Sequence, residues 1–269
     1  VVALDEGTVN VDAADDAVHS DGSVGIGGAD VTLSTGDDGI HAEQTVEIRS
    51  GEVTVTESYE GIEGADIAIS GGTVDVTASD DGLNAASGSS SGGMGGGGMQ
   101  NSGETLTISG GIVTIDADGD GLDSNGTIVI SGGQTVVFGP TNSGNGALDS
   151  NGGIEVTGGT VLALGSSGMA ETPDSTSSQS WVAASVSGSA GTTVTITDSS
   201  GTVLAEVTSP KQFETVVFSS ADVASGATYT FSTGSTTVSA QTGTALSGGM
   251  GGGMGGGGMG GGGGGGQRP

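Results

Sequence analysis

The chain has 269 residues, enough for one large domain or two small ones, and its composition is strongly biased. It contains 59 Gly and no Cys, and 32 acidic residues against three basic ones give a net charge of −29. This charge excludes a partner held mainly through its phosphates, and no apolar run reaches the length that spans a bilayer. We therefore predict no nucleic-acid partner and no membrane insertion. Because the chain opens at Val1 rather than at Met, we also expect a processed or trimmed N-terminus.

The sequence repeats with a step of about 22 residues. Each copy contains short alternating apolar stretches separated by Gly, and it ends in an acidic turn. The acidic residue of successive copies is Asp16, then Asp38, then Glu60, each 22 residues after the one before. The next is Asp81, which follows after 21 residues. A Gly/Ser/Met insert at about residues 87–103 lengthens the next step to 39 residues. Repeats of this kind are typical of a β-solenoid.

We predict an all-β fold, with a right-handed parallel β-helix of about seven coils over residues 1–170. Three aliphatic rows, which begin at Leu4, Val9 and Val18 and recur in nearly every coil, are expected to face inward. An antiparallel β segment that caps the helix is expected over residues 171–245. Its six alternating stretches begin at Trp181, Thr193, Thr202, Phe213, Thr228 and Thr236. Residues 246–269, which are rich in Gly and Met, predict a flexible, disordered tail.

One corner of the predicted helix stacks acidic side chains in three rows. The first row holds Asp16, Asp38, Glu60, Asp81 and Asp120, the second holds Asp15, Asp37 and Asp80, and the third holds His19, His41, Glu63, Asn84, Asp123 and Asp149. Carboxylates about 5 Å apart repel by about 0.8 kcal/mol per pair in water and about 3 kcal/mol at an effective dielectric of about 20.

Such a column needs protonation or a bound cation, and Ca²⁺ accepts carboxylate, amide and carbonyl oxygens with flexible geometry. We predict Ca²⁺ as the cofactor, held by the acidic members of the three rows and Asn84. The alternative is structural, because Asp-Gly and Asn-Gly form turns with or without metal.

Four further side chains admit two interpretations each. His19 and His41 occupy equivalent positions in adjacent coils and could together bind a transition metal. The sequence has no third His, which favours the alternative that both are solvent-facing turn residues. Tyr59 replaces an acidic residue at the corner and is a candidate for stacking on a sugar ring, although ordinary packing explains it equally well. Trp181 is a second candidate for carbohydrate contact, and its alternative role is to anchor the core of the C-terminal segment.

Four runs carry a family resemblance: DDGIHAE at 37–43, YEGIEG at 59–64, SGGTVDVTASDDGLNA at 70–85 and GDGLDSNG at 119–126. With them, the chain resembles the bacterial "carbohydrate-binding domain-containing" family of secreted β-helix proteins over essentially its whole length. The resemblance implies calcium binding by the aspartates of the DDG-type motifs, and it implies binding of polygalacturonate and cellulose without cleavage. The chain departs from the motif at Ala17, which replaces Gly, and at Gly119, which replaces the first Asp.

The function expected on this basis is calcium-dependent binding of acidic plant-type polysaccharide by a secreted or cell-surface bacterial protein. Because both partners are anionic, the contact needs bridging Ca²⁺. No enzyme activity is expected, because a lyase needs a Lys or Arg base beside its calcium and the acidic corner has none in sequence. The main alternative is structural: head-to-tail self-association into a calcium-stabilised extracellular fibre or matrix. A polysaccharide lyase or hydrolase is the remaining alternative.

Overall fold

The computed structural model describes residues 1–87, 101–234 and 236–246. These residues form twenty β-strands and no helix, so none of them forms a helix suited to crossing a membrane. Most of the predicted insert at 87–103, and all of the predicted tail after residue 246, lie outside the described residues.

Fourteen strands build a parallel solenoid. They are β1 (Val2–Leu4), β2 (Thr8–Ala13), β3 (Val18–Ser20), β4 (Ser23–Thr35), β5 (Ile40–Glu57), β6 (Ile62–Ile69), β7 (Thr73–Ala78), β8 (Leu83–Ala85), β9 (Thr105–Ile108), β10 (Ile112–Ala117), β11 (Leu122–Ser124), β12 (Thr127–Phe138), β13 (Leu148–Ser150) and β14 (Ile154–Gly165). The longer strands bend around a corner and so contribute to two faces.

The solenoid has three faces of parallel strands. The first face runs β1-β4-β5-β6-β9-β12-β14, the second runs β2-β4-β5-β7-β10-β12-β14, and the third runs β3-β5-β6-β8-β11-β13. In the first face, Leu4 pairs with Ile26, Ile26 with Ile48 and Ile48 with Ile69, as the repeat predicts. The predicted all-β solenoid of about seven coils is therefore confirmed.

The core is a set of aliphatic rows along the solenoid axis. The row that begins at Val18 is buried in every coil, and the row that begins at Leu4 is buried from the second coil onward. Each buried aliphatic side chain contributes roughly 1.5–3 kcal/mol of transfer free energy. The row that begins at Val9 contains one polar residue, Thr135, between Val113 and Val161. The alternation of each strand adds further inward rows that the three predicted ones did not include.

The turn glycines let successive coils approach closely. A Cβ on Gly61 would lie 2.3 Å from the carbonyl oxygen of Gly82, and a Cβ on Gly82 would lie 2.6 Å from that of Gly121. Such contacts are shorter than real Cβ atoms make, so any larger residue would push the coils apart. Close packing at this corner is what stacks the acidic side chains of consecutive coils.

The C-terminal strands divide between two sheets. They are β15 (Trp181–Gly188), β16 (Thr193–Thr197), β17 (Val203–Thr208), β18 (Phe213–Ser219), β19 (Thr228–Thr233) and β20 (Thr236–Gln241), and only β17 begins away from its predicted residue, by one position. β18 pairs antiparallel with β14, and β15 pairs with β18, so both extend the last coil. The other four form a separate antiparallel sheet in the order β17-β16-β19-β20.

The last coil is apolar on both sides, which explains this division. Val161 faces the solenoid core, whereas Leu162 and Leu164 are buried in a second core with Phe218 and Phe231. A strand buried on both faces reads as a continuous apolar run, and residues 161–164 have that pattern. The cap therefore seals the edge of the last coil and packs the small sheet against its outer side.

Candidate metal centre

The acidic side chains lie in three adjacent rows at the corner between the second and third faces. The turn row contains Asp16, Asp38, Glu60, Asp81 and Asp120; the outer row contains Asp15, Asp37, Tyr59 and Asp80; and the strand row contains His19, His41, Glu63, Asn84, Asp123 and Asp149. We call the three rows together the corner column.

Parallel pairing fixes the register of the strand row. His19 pairs with His41 and His41 with Glu63 in the first three coils, and Asn84 pairs with Asp123 in the next two. Neighbouring positions in such a pair lie about 4.8 Å apart along the solenoid. The sequence repeat thus places chemically different residues at one geometric position.

Carboxylates of the turn row accept hydrogen bonds from the backbone of the next coil, a contact that the sequence did not predict. Asp81 Oδ1 accepts a hydrogen bond from the backbone N–H of Asp120 at 2.6 Å, and Asp120 Oδ1 accepts one from Gly146 N–H at 2.5 Å. Asp16 Oδ1 accepts one from Asp38 N–H at 3.3 Å. One oxygen of each of these three carboxylates therefore holds the backbone of the next coil in place.

Burial makes the column costly to ionise. Desolvation, with added repulsion from Asp81 and Asp120, raises the pKa of Asp123 to about 8. Desolvation also raises the pKa of Asp120 and of Glu60 to about 7, and that of Asp81 to about 6. A cation bound among these groups would favour their charged forms.

Four groups of three side chains converge closely enough to hold a metal. The ligand atoms lie within 4.8 Å of one another in Asp15–Asp16–Asp37, Asp16–His19–His41, Asp38–His41–Glu63 and Asp120–Asp123–Asp149. Eight of the twelve predicted metal ligands belong to these groups. The acidic residues Glu60, Asp80 and Asp81 do not, and the twelfth predicted ligand, Asn84, donates a hydrogen bond from Nδ2 to Glu60 at 2.9 Å.

Asn84 leaves one buried oxygen unused. Its side chain is 8% exposed, and within the described residues its Oδ1 atom has no hydrogen-bond partner. Leaving a buried acceptor unpaired costs about 1–3 kcal/mol. Asn84 pairs with Asp123 in the strand row, so this buried, unpaired oxygen belongs to a residue next to the carboxyl group of Asp123 in the column.

Glu171 joins the end of the column and was not predicted. Its Oε2 atom accepts a hydrogen bond from the backbone N–H of Ser150, the residue after Asp149. Desolvation and the charge of Asp149 raise the pKa of Glu171 to about 7. The repeat is lost before Glu171, so no sequence register pointed to it.

The two aromatic candidates differ in accessibility. Tyr59 lies in the outer row and is 49% exposed, and a hydrogen bond to Asp80 raises its pKa to about 12. Trp181 is 6% exposed and packs in the solenoid core, not in the core of the C-terminal segment that the sequence predicted as its alternative role.

The basic side chains of the described residues pair away from the corner column. Arg49 Nη1 lies 2.6 Å from Glu47 Oε2 on the first face. Lys211 Nζ lies 2.6 Å from Asp116 Oδ1 and 2.9 Å from Asp118 Oδ1 on β10 and its following turn. Within the part of the chain that the structure describes, the histidines are therefore the only side chains in the column that can carry positive charge.

Comparisons of the chain with protein-family models, curated proteins and solved structures find no match.

Proposed function

We propose that this protein is a non-catalytic, calcium-dependent carbohydrate-binding protein, secreted or held at the bacterial cell surface. In this proposal the corner column binds Ca²⁺, and bound Ca²⁺ bridges to the carboxylates of an acidic polysaccharide of the polygalacturonate type. Cellulose is a second candidate ligand on the basis of the motif resemblance.

The unpaired Oδ1 of Asn84 is the observation that carries the calcium proposal. Asn84 pairs with Asp123 in the strand row, and the ligand atoms of Asp123, Asp120 and Asp149 lie within 4.8 Å of one another, so an unpaired amide oxygen occupies the row position next to three converging carboxylates. Ca²⁺ takes six to eight oxygen ligands with flexible geometry, and water or sugar oxygens complete such a set. A cation there gives Asn84 Oδ1 a partner and offsets the repulsion among the three carboxylates.

The charge of the chain supports a bridged contact with sugar. A protein of net charge −29 repels a polyuronate unless a cation lies between them. Asp15 and Asp37 of the outer row are exposed, and Asp16 converges with them. The half-exposed ring of Tyr59 lies in the same row, where it can stack on a pyranose ring.

Calorimetric titration of the metal-stripped full chain, first with Ca²⁺ and then with oligogalacturonate, tests this function. We expect Ca²⁺ to bind and oligogalacturonate to bind only afterwards, with binding lost in chelator. Asp123→Asn should weaken Ca²⁺ binding about tenfold or more, because ligand charge sets calcium affinity. Asp75→Asn removes the same charge from an exposed position of β7 and should change nothing.

Two outcomes would contradict the proposal. Oligogalacturonate binding that persists unchanged in chelator would remove the bridging role of calcium. Shorter or unsaturated uronides after long incubation would show an enzyme instead of a binding protein.

The fibre alternative meets a specific obstacle at the last coil. β14 is covered on its second-face part by β18, so that edge has no free backbone for a second copy. Light scattering across a range of Ca²⁺ concentrations separates the two models: a binding protein stays at constant particle size, whereas a fibre grows.

A further inference from the structure

We infer that the N-terminal end of the corner column is a second and chemically distinct metal site, which takes a borderline divalent ion such as Zn²⁺. In this site, His41 Nδ1 and carboxylate oxygens of Asp16, Asp38 and Glu63 are the ligands. His19 is a positioning residue that holds Asp16.

The geometry around His41 departs from ordinary hydrogen bonding. Its Nδ1 atom lies 3.3 Å from Asp38 Oδ2, 3.4 Å from Asp16 Oδ2 and 3.6 Å from Glu63 Oε2. A ring nitrogen carries at most one hydrogen, so it can donate to one of these three oxygens at a time. All three distances are also longer than a charge-assisted N–H···O bond, for which about 2.7–2.9 Å is usual.

The same distances fit the edges of a metal coordination sphere. Zn²⁺ binds His nitrogen and carboxylate oxygen at about 2.0–2.2 Å, and ligands in a tetrahedron with such bonds are roughly 3.3–3.5 Å apart. The ligand atoms of Asp38, His41 and Glu63 lie within 4.8 Å of one another, so an ion among them would contact all three without displacing the coils. Asp16 would complete the set by a rotation of its side chain. The ion would also separate carboxylates that otherwise repel one another.

His19 supports this arrangement from the neighbouring coil. Its Nδ1 lies 2.7 Å from Asp16 Oδ2, a normal hydrogen bond, and its ring meets that of His41 edge to face at a centroid distance of 5.0 Å. Hydrogen bonds of this kind orient the ligands of metal sites. Both rings line an open recess of about 510 Å³ with Asp15, Asp16, Asp37 and Asp38, so an ion can enter from solvent.

The donor set decides which metal binds. Imidazole suits Zn²⁺, Cu²⁺ and Ni²⁺, whereas Ca²⁺ selects oxygen ligands. The Asn84–Asp123–Asp149 part of the strand row offers oxygen alone. The single row of paired positions thus presents a nitrogen-containing site at one end and an all-oxygen site at the other.

The test titrates Zn²⁺ into the full chain without a histidine tag, stripped of metal and then kept in excess Ca²⁺. We expect one Zn²⁺ per chain to bind. His41→Gln should weaken this binding at least tenfold, and His19→Gln about tenfold, the usual effect of losing an outer-shell partner. Asp75→Asn and Asp123→Asn are the matched controls, and both should bind Zn²⁺ like the natural sequence.

A measurement on the unaltered protein guards against misfolded variants. The ¹⁵N resonance of His41 Nδ1 should shift on addition of Zn²⁺ and stay in place on addition of Ca²⁺. Substitution by Co²⁺ should give the intense visible bands of tetrahedral coordination. The inference is overturned if Zn²⁺ fails to bind, if it leaves the His41 resonance in place, or if excess Ca²⁺ abolishes its binding. Because these readouts involve no sugar, they stand or fall separately from carbohydrate binding.

Discussion

The two ends of the corner column share one backbone geometry but differ in chemistry. In the first three coils, His19 and His41 stand among carboxylates, and the recess is open to solvent. In the later coils, Asn84, Asp123 and Asp149 occupy the same paired positions, and burial raises the pKa of Asp123 to about 8. A solenoid can therefore vary the ligand at each coil without changing the frame that positions it.

The largest expected effect is a change in metal affinity when the histidine-containing end of the column is given the oxygen ligands of the other end. His41→Asp replaces the nitrogen donor by oxygen, so Zn²⁺ affinity should fall about a hundredfold, or roughly 2.7 kcal/mol, while Ca²⁺ binding strengthens. Parallel calorimetric titrations with the two ions measure the exchange, and Asp75→Asn again serves as control. If the variant still preferred Zn²⁺, the difference in metal selectivity between the two ends would not be due to their donor atoms.

The second largest expected effect is the pH dependence of the unfolding free energy of the metal-free protein. The raised pKa values of Asp38, Glu60, Asp120 (each about 7) and Asp123 (about 8) mean that the folded state holds protons that the unfolded state releases above about pH 4. Their stabilising contribution is complete below that pH and is lost as the pH rises through 7 to 8.

We therefore expect Tm in chelator to fall by about 5 °C or more between pH 5 and pH 8, which corresponds to roughly 2 kcal/mol. Added Ca²⁺ should restore Tm at pH 8, because it binds the deprotonated column. Calorimetric unfolding measures both, and Asp123→Asn should flatten the pH profile. A Tm that rises towards pH 8 in chelator would contradict the assignment of buried, proton-holding carboxyls.

Asn84→Leu tests the buried oxygen at the second end. Without metal, the substitution removes an unpaired acceptor but also the hydrogen bond from Asn84 Nδ2 to Glu60. The two effects oppose each other, so we expect a change in unfolding free energy of less than about 1 kcal/mol. Ca²⁺ affinity should fall about tenfold, while Zn²⁺ affinity stays constant. If Ca²⁺ binds the variant as tightly as the natural sequence, Asn84 is not a ligand.

The smallest expected effect concerns the outer row between the two ends. Tyr59→Ala should leave both metal affinities within about twofold, because its ring is not placed as a ligand, and should weaken oligogalacturonate binding by about 1 kcal/mol through lost stacking. Tyr59→Phe keeps the ring and is the matched control. Equal sugar affinity in Tyr59→Ala would remove Tyr59 from the binding surface.

The repeat predicted most of the fold because its register fixes backbone position. Aliphatic residues at matching places, such as Ile26, Ile48 and Ile69, forecast the solenoid core, and the same register placed Asn84 beside Asp123. Calcium, carbohydrate and secretion stay predictions.

What escaped prediction depends on contacts that no repeat encodes. The hydrogen bond from Asp120 N–H to Asp81 Oδ1 requires a particular side-chain rotamer. The convergence of three oxygens on His41 Nδ1 depends on χ angles in three different coils. Glu171 approaches Asp149 along an irregular segment, and β18 joins β14 by a long-range antiparallel pairing.

The anchoring of Lys211 has a consequence for resistance to proteolysis. Trypsin-class proteases cut after Lys or Arg, and this sequence offers only Arg49, Lys211 and Arg268, the last followed by Pro269. Arg49 lies inside β5, at an irregularity between the paired residues Ile48 and Ser50, and the ammonium of Lys211 is held by two carboxylates and the Ala117 carbonyl. The folded body therefore presents digestive enzymes of that specificity with almost no usable cleavage point.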